Sequence, residues 1–219
     1  MARTRLSAQR LAGIKKMNIG HIIIFCEGKS EKYYFEYFAE ILKKNKYTDI
    51  EVILEDANGN ARTVLNCANN FMLNDRNNQK YSSYGKYLAF DCDDPPNIQS
   101  VIQDANGKYE LLISNYLFET WLLMHFEDME EKISKSEIYR KLGFYLHGDY
   151  SKGDKGKTRE IIQNGDVEKA IDNAKKLEEQ YNAAGKGILT DIQEMNPYTS
   201  VYRMVEQFMA EISDQEQYR

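Results

Sequence analysis

The chain has 219 residues, 42% hydrophobic and 29% charged, with a net charge of -5 at pH 7. That is the composition of a folded protein able to bury a substantial core, and its acidic balance excludes a uniformly basic nucleic-acid coat, though not a local basic patch or a bound metal that attracts phosphate. The longest apolar runs, "IIIFC" and "WLLM", fall far short of the roughly 20 residues a membrane-spanning helix needs, and Cys26, Cys67 and Cys92 are too few and too scattered for a disulfide framework or a zinc site.

Residues 1–18 hold Arg3, Arg5, Arg10, Lys15 and Lys16 with no acid and no apolar core of a secretory signal. They read as a basic N-terminal arm on a cytoplasmic protein. Ile22 to Phe25 is a continuous apolar run rich in β-branched residues, the mark of a strand covered on both faces, and Gly28 turns it into a helix from about Ser30. Tyr33, Tyr34, Tyr37, Phe38, Ile41 and Leu42 recur at helical spacing along that segment.

"DIEVILE" (Asp49 to Glu55) alternates into a second strand, Ala57 to Asn60 supplies turn chemistry, and Ala61 to Leu73 fits a helix. "YGKYLAFDCDDPP" is a third strand ending in acids and two prolines; "YELLISN" (Tyr109 to Asn115) is a fourth, running into the apolar helix "YLFETWLLMHF". Alternation of strand and helix across residues 19–130 predicts an α/β, Rossmann-like domain with a mainly parallel four-stranded sheet flanked by helices.

Residues 131–219 change texture to charged helical segments and read as a C-terminal helical extension packed on that domain. The glycine- and lysine-rich "HGDYSKGDKGKT" reads as a mobile basic loop whose Lys152, Lys155, Lys157 and Arg159 are placed either to touch nucleic-acid phosphate or to be solvated. "VEKAIDNAKKLEEQY" is an amphipathic helix, and a terminal one follows with Tyr198 or Thr199 near its start.

The carboxyl ends of strands in an open parallel sheet form one rim where ligands bind. Glu27 follows the first strand, Asp91, Asp93 and Asp94 the third, and Glu119 lies one turn into the helix after the fourth. Crowded carboxylates repel one another unless a cation compensates, and an all-oxygen set suits magnesium or manganese. Two apart in an extended segment, Asp91 and Asp93 point the same way and can share an ion while Cys92 faces the core. Asp94 faces elsewhere or caps the turn before Pro95.

These residues resemble a known family. Glu27 and Gly28 after a first strand, with an Asp-x-Asp after a later one, resemble the Toprim fold of topoisomerases, DnaG-type primases and OLD-family nucleases. More closely, "CEGKSEKYYFEYF", "FDCDD", "ISNYLFETWLLMHFE" and "NPYTSVYRMVEQF", in that order, resemble the RloB-like (AbiLii-like) proteins over nearly the whole chain. The sequence departs from their pattern at Ser30, Glu31 and Lys32, where Thr-Glu-Pro is usual, and at Tyr116 and Leu117 after the Ser-Asn pair.

The resemblance implies a Toprim nuclease acting in abortive-infection phage defence beside an RloA/AbiLi-type ATPase, on DNA or RNA, with one or two Mg2+ or Mn2+ ions. It assigns Glu27 to the Toprim glutamate and Asp91 and Asp93 to the Asp-x-Asp, as metal ligands and catalytic groups. Glu31 and Glu119 match two further family glutamates, and Lys29 is placed to meet a phosphate. A non-catalytic regulatory subunit of that ATPase, binding nucleic acid or nucleotide, is the alternative, and a metal-dependent phosphotransfer enzyme a third reading. A second copy of the chain is a further candidate partner.

Other signals point away from chemistry. "SKGDKGKT" lacks the first glycine of a phosphate-binding P-loop, since position 151 is serine, and no strand runs into it. His21 and His125 read as structural, His125 as a hydrogen-bonded core residue, while His147 borders the basic loop. A response-regulator receiver would carry its paired acids after the first strand, the reverse of this order.

Overall fold

A computed structural model describes residues 19–42, 48–54, 59–93 and 95–217. The basic arm and Asp94 lie outside the described residues. The strands are β1 (His21–Cys26), β2 (Asp49–Leu54), β3 (Gly85–Asp91), β4 (Glu110–Asn115) and β5 (Tyr198–Thr199). The helices are α1 (Lys29–Leu42), α2 (Ala61–Leu73), α3 (Asp75–Tyr81), α4 (Pro95–Ala105), α5 (Phe118–Leu123), α6 (Lys135–Tyr145), α7 (Lys155–Asn164), α8 (Val167–Ala183), α9 (Ile188–Asp191) and α10 (Tyr202–Gln217).

One sheet runs in the order β2-β1-β3-β4-β5. Its first four strands are parallel. Successive side chains of β1 alternate between faces, and both faces are covered: Ile22, Ile24 and Cys26 enter one core, Ile23 and Phe25 the other. The first core is closed by α1, α5, α8 and α10, the second by α2 and α4. Phe38 of α1 stacks on Phe208 of α10, so the C-terminal helix shares the apolar core of the first strand-helix unit.

Two features differ from the sequence expectation. A fifth, antiparallel strand joins the sheet, pairing Thr199 with Ser114 and Tyr198 with Asn115. Two residues are too short to show a strand period, and Ser200 secures the edge by accepting from the Ile113 N–H and donating to the Leu111 carbonyl. The terminal helix therefore starts at Tyr202 rather than at Tyr198 or Thr199. The basic segment is also less loop-like than its glycines suggest, because Asp154 caps α7 by accepting from the Lys157 N–H, and Lys155 onward is helical. Among the described residues no helix is long and apolar enough to cross a membrane.

Candidate metal centre

Neighbours of β1 lie on both sides, β2 reached through α1 on one face and β3 through α2 on the other, so the crevice at the carboxyl ends of β1 and β3 is the topological switch point of the sheet. Glu27 and Asp91 flank it. The Glu27 N–H donates to the Ala89 carbonyl at 2.9 Å, extending the ladder one residue past the strand, and the Asp91 N–H donates back to Glu27 Oε2 at 3.2 Å. Backbone pairing thus fixes where both carboxyl groups stand.

Two glutamates from helix starts complete the group. Glu31 lies in the first turn of α1 and Glu119 in the first turn of α5. Glu31, Asp91 and Glu119 are 1%, 2% and 0% exposed, a depth at which an unpaired carboxylate is costly. Glu119 Oε1 accepts from Ser30 Oγ at 3.0 Å and from the Tyr150 hydroxyl at 2.9 Å. Among the described residues, Glu119 Oε2, Asp91 Oδ1 and both Glu31 carboxyl oxygens are buried without a hydrogen-bond donor.

The other sequence-predicted residues spread outward from this group. Glu27 is half-buried and Asp93 exposed, one residue past the buried Cys92, so the two aspartates of the Asp-x-Asp differ in depth. Lys29 is exposed and makes no ion pair among the described residues. Lys155 pairs with Glu36 at 3.8 Å and Glu40 at 3.4 Å, and Arg159 with Glu40, which docks α7 on α1. Those two cations serve helix packing.

Lys152 does reach the group, with its ammonium 3.1 Å from Asp91 Oδ2 and 3.8 Å from Glu119 Oε2. It is carried by a strap, residues 150–153, held at both ends: Tyr150 donates to Glu119, and the Gly153 N–H donates to Ser30 Oγ at 3.0 Å. Tyr139 of α6 packs edge-on against Tyr150 with centroids 5.2 Å apart. Gly153 has φ +73°, and a Cβ there would stand 3.0 Å from Lys29 Cβ, so glycine is what lets the strap lie this close.

Electrostatics follow from depth and crowding. Burial, then repulsion from Asp91, pushes Glu27 up to about 8. Burial lifts Asp91 to about 7, with Lys152 opposing the rise and Glu119 adding to it. Glu31 is driven well above the carboxylate range by burial and then by Asp91. For Lys152 burial alone would lower the ammonium, but Asp91, Glu119 and Glu31 outweigh it and hold it above its ordinary value.

The donor set is all oxygen, has buried acceptors lacking donors, and carries more acid than one ammonium balances, which fits a hard divalent cation. Among the described residues no three side chains are already placed to hold a metal ion. The group is thus a charged crevice with its ammonium inside rather than a finished cage.

Sequence reasoning did not single out Ser30 or Tyr150 as site residues. Tyr150 stands 31 residues from Glu119 in an irregular segment, with no periodicity to place it. The usable signal was charge: several acids on one rim demand a nearby cation, and the basic glycine-rich stretch, read from sequence as touching phosphate or solvated, supplies it through Lys152.

A cavity of about 530 Å3 opens at the other end of the sheet, where β3 and β4 begin, lined in part by Lys86, Lys108 and Arg203. Lys86 donates to the Ser82 and Tyr84 carbonyls, and Arg203 pairs with Glu178. None of the predicted site residues lines it.

No curated protein and no solved structure matches the chain. The family model described as RloB-like protein matches residues 22–208. With that match spanning both the strand-end acids and the strap that covers them, the chain belongs to the RloB-like family.

Proposed function

We propose that this RloB-like protein is a divalent-metal-dependent nuclease of the Toprim type, acting in phage defence with an ATPase partner of the RloA/AbiLi type. The observation that carries the reading is the meeting of Glu31, Asp91 and Glu119, all but fully buried, beside Glu27 at the switch point of a parallel sheet, with acceptor oxygens that lack donors. Burying so much acid is costly in a purely structural role. Ligand crevices of such sheets lie at this position.

Asp91, Glu31 and Glu119 would hold Mg2+ or Mn2+, with Glu27 and Asp93 at the outer edge. A bound ion of this kind supplies Lewis-acid polarisation of a scissile phosphate and a more acidic bound water. Within the chain, the Asp91 N–H fixes the Glu27 carboxylate at the crevice edge, where it would complete the coordination or take a proton from an attacking water. Ser30 and Tyr150 hold Glu119 in one orientation through its Oε1, leaving Oε2 directed at the crevice. Lys29, exposed at the crevice edge, is available to phosphate.

A second reading has its own support. Lys152 already neutralises part of the cluster, pairing with Asp91 and Glu119, as suits a non-catalytic subunit that binds nucleic acid or nucleotide and regulates the ATPase. The deciding experiment incubates the protein with plasmid DNA, single-stranded DNA and tRNA in Mg2+ or Mn2+, with and without the ATPase, alongside Asp91→Ala and Glu27→Ala. The nuclease reading expects metal-dependent cleavage that both variants abolish. Absence of cleavage in every condition, with both variants still protecting cells from phage, supports the regulatory subunit.

A further inference from the structure

The acid cluster carries its own cation on a tether. Lys152 is 35% exposed along its side chain, yet its ammonium faces Asp91 and Glu119, which are 1% and 0% exposed. The tether is short, because Tyr150 and Gly153, on either side of Lys152, are bonded to Glu119 and Ser30. Those bonds converge: Ser30 Oγ donates to the same Glu119 oxygen that Tyr150 holds, so strap, helix α1 and helix α5 are locked through one carboxylate.

A divalent ion on Asp91 Oδ2, at a metal–oxygen distance of about 2.1 Å, would lie within about 5 Å of the ammonium that stands 3.1 Å from that oxygen, and two cations that close in a low-dielectric crevice repel strongly. Without any cation the buried carboxylates lose their compensation. Both constraints are met if one cation replaces the other. We propose that Lys152 is the resident counter-cation of the cluster, and that a divalent ion enters by displacing its ammonium from Asp91 and Glu119. Displacement frees the strap at Gly153 and carries the ammonium outward, toward a phosphate lying across the crevice. Lys152 is thereby a positioning residue: it preserves the empty cluster and reports metal entry to the surface. The proposal rests on the metal-centre reading above.

The test uses the full chain and Mn2+ alone. Amide hydrogen exchange on the wild-type protein follows the Gly153 N–H, whose bond to Ser30 should break on saturation with Mn2+, so its exchange should speed up. Calorimetry compares Mn2+ affinity of the wild type with Lys152→Met, which should bind about ten-fold tighter or more once the competing charge is gone. Wild-type protein that binds Mn2+ with Gly153 exchange unchanged overturns the displacement while leaving the metal centre standing, and needs no variant to fold. Equal affinity in the two proteins has the same consequence. Failure of both proteins to bind Mn2+ overturns the metal centre itself, and the displacement with it.

Discussion

Lys152 and Asp91, 61 positions apart in the chain, meet with Nζ and Oδ2 at 3.1 Å, and this pair brings the C-terminal half of the molecule onto the switch point of the sheet. The acids come from the strand-helix half, and the charge that balances them comes from beyond residue 146. Neither half holds a charge-compensated site alone.

Gly28 lies against the Glu31 carboxyl, since a Cβ built there falls 2.6 Å from Glu31 Oε2. The backbone at Gly28 is not left-handed, and the clashing atom is the far end of a flexible side chain, so Gly28→Ala should cost the fold about 1 kcal/mol or less. Its effect should fall on the site: Glu31 is pushed aside and Mn2+ affinity drops several-fold. Calorimetry beside thermal unfolding checks this, and unchanged affinity removes Glu31 from the ligand set.

Glu31→Gln separates stability from binding. Both carboxyl oxygens of Glu31 are buried without donors among the described residues, and an uncharged isostere removes the cost of burying an acid there beside Asp91. In chelator the variant should melt no lower than wild type. With Mn2+ at 100 times its Kd, wild type should gain about 2.7 kcal/mol, and the variant much less. Scanning calorimetry with and without Mn2+ reads both effects.

His125 makes stability pH-dependent at a distance from the acids. Its Nδ1–H faces the Trp121 carbonyl at 3.1 Å, an acceptor only, so Nε2 is left to accept from the Tyr34 hydroxyl at 3.0 Å. Burial lowers the imidazole from 6.5 to about 4. Because the folded value is the lower one, this contribution is present in full above 6.5 and is lost as pH falls from 6.5 toward 4, by about 3 kcal/mol in total. Denaturant titrations of wild type and His125→Gln should therefore converge by about that amount across the window. Parallel curves would mean that His125 is not buried neutral.

Lys155 and Arg159 should behave as packing residues, not as phosphate contacts. They lie over Tyr33 and Tyr37 and pair with Glu36 and Glu40 in half-exposed positions, where such pairs contribute about 0–1 kcal/mol. Lys155→Ala should leave the salt dependence of nucleic-acid binding unchanged, whereas Lys29→Ala should lower its slope by about one. Fluorescence anisotropy over a salt series distinguishes the two.

Periodicity made the parallel strands and their order of appearance legible, because a strand buried on both faces, such as Ile22 to Phe25, reads as an unbroken apolar run. The two-residue β5 carries no period, and its place is set by Ser200 bonding to β4, a long-range contact that no local pattern encodes. The rim acids were legible because they end strands. Their unequal depth was not: alternation places Asp91 and Asp93 on one side only while the segment stays extended, and the strand stops at Asp91. Lys152 was visible as a charge, but its target depended on how α6 and α7 position the strap.

Anomalous diffraction from a crystal soaked in Mn2+ locates the metal itself. An ion is expected among Asp91, Glu31 and Glu119, with Glu27 at its edge. A crystal that shows no ion there, or an ion bound away from the ends of β1 and β3, contradicts the metal-centre reading.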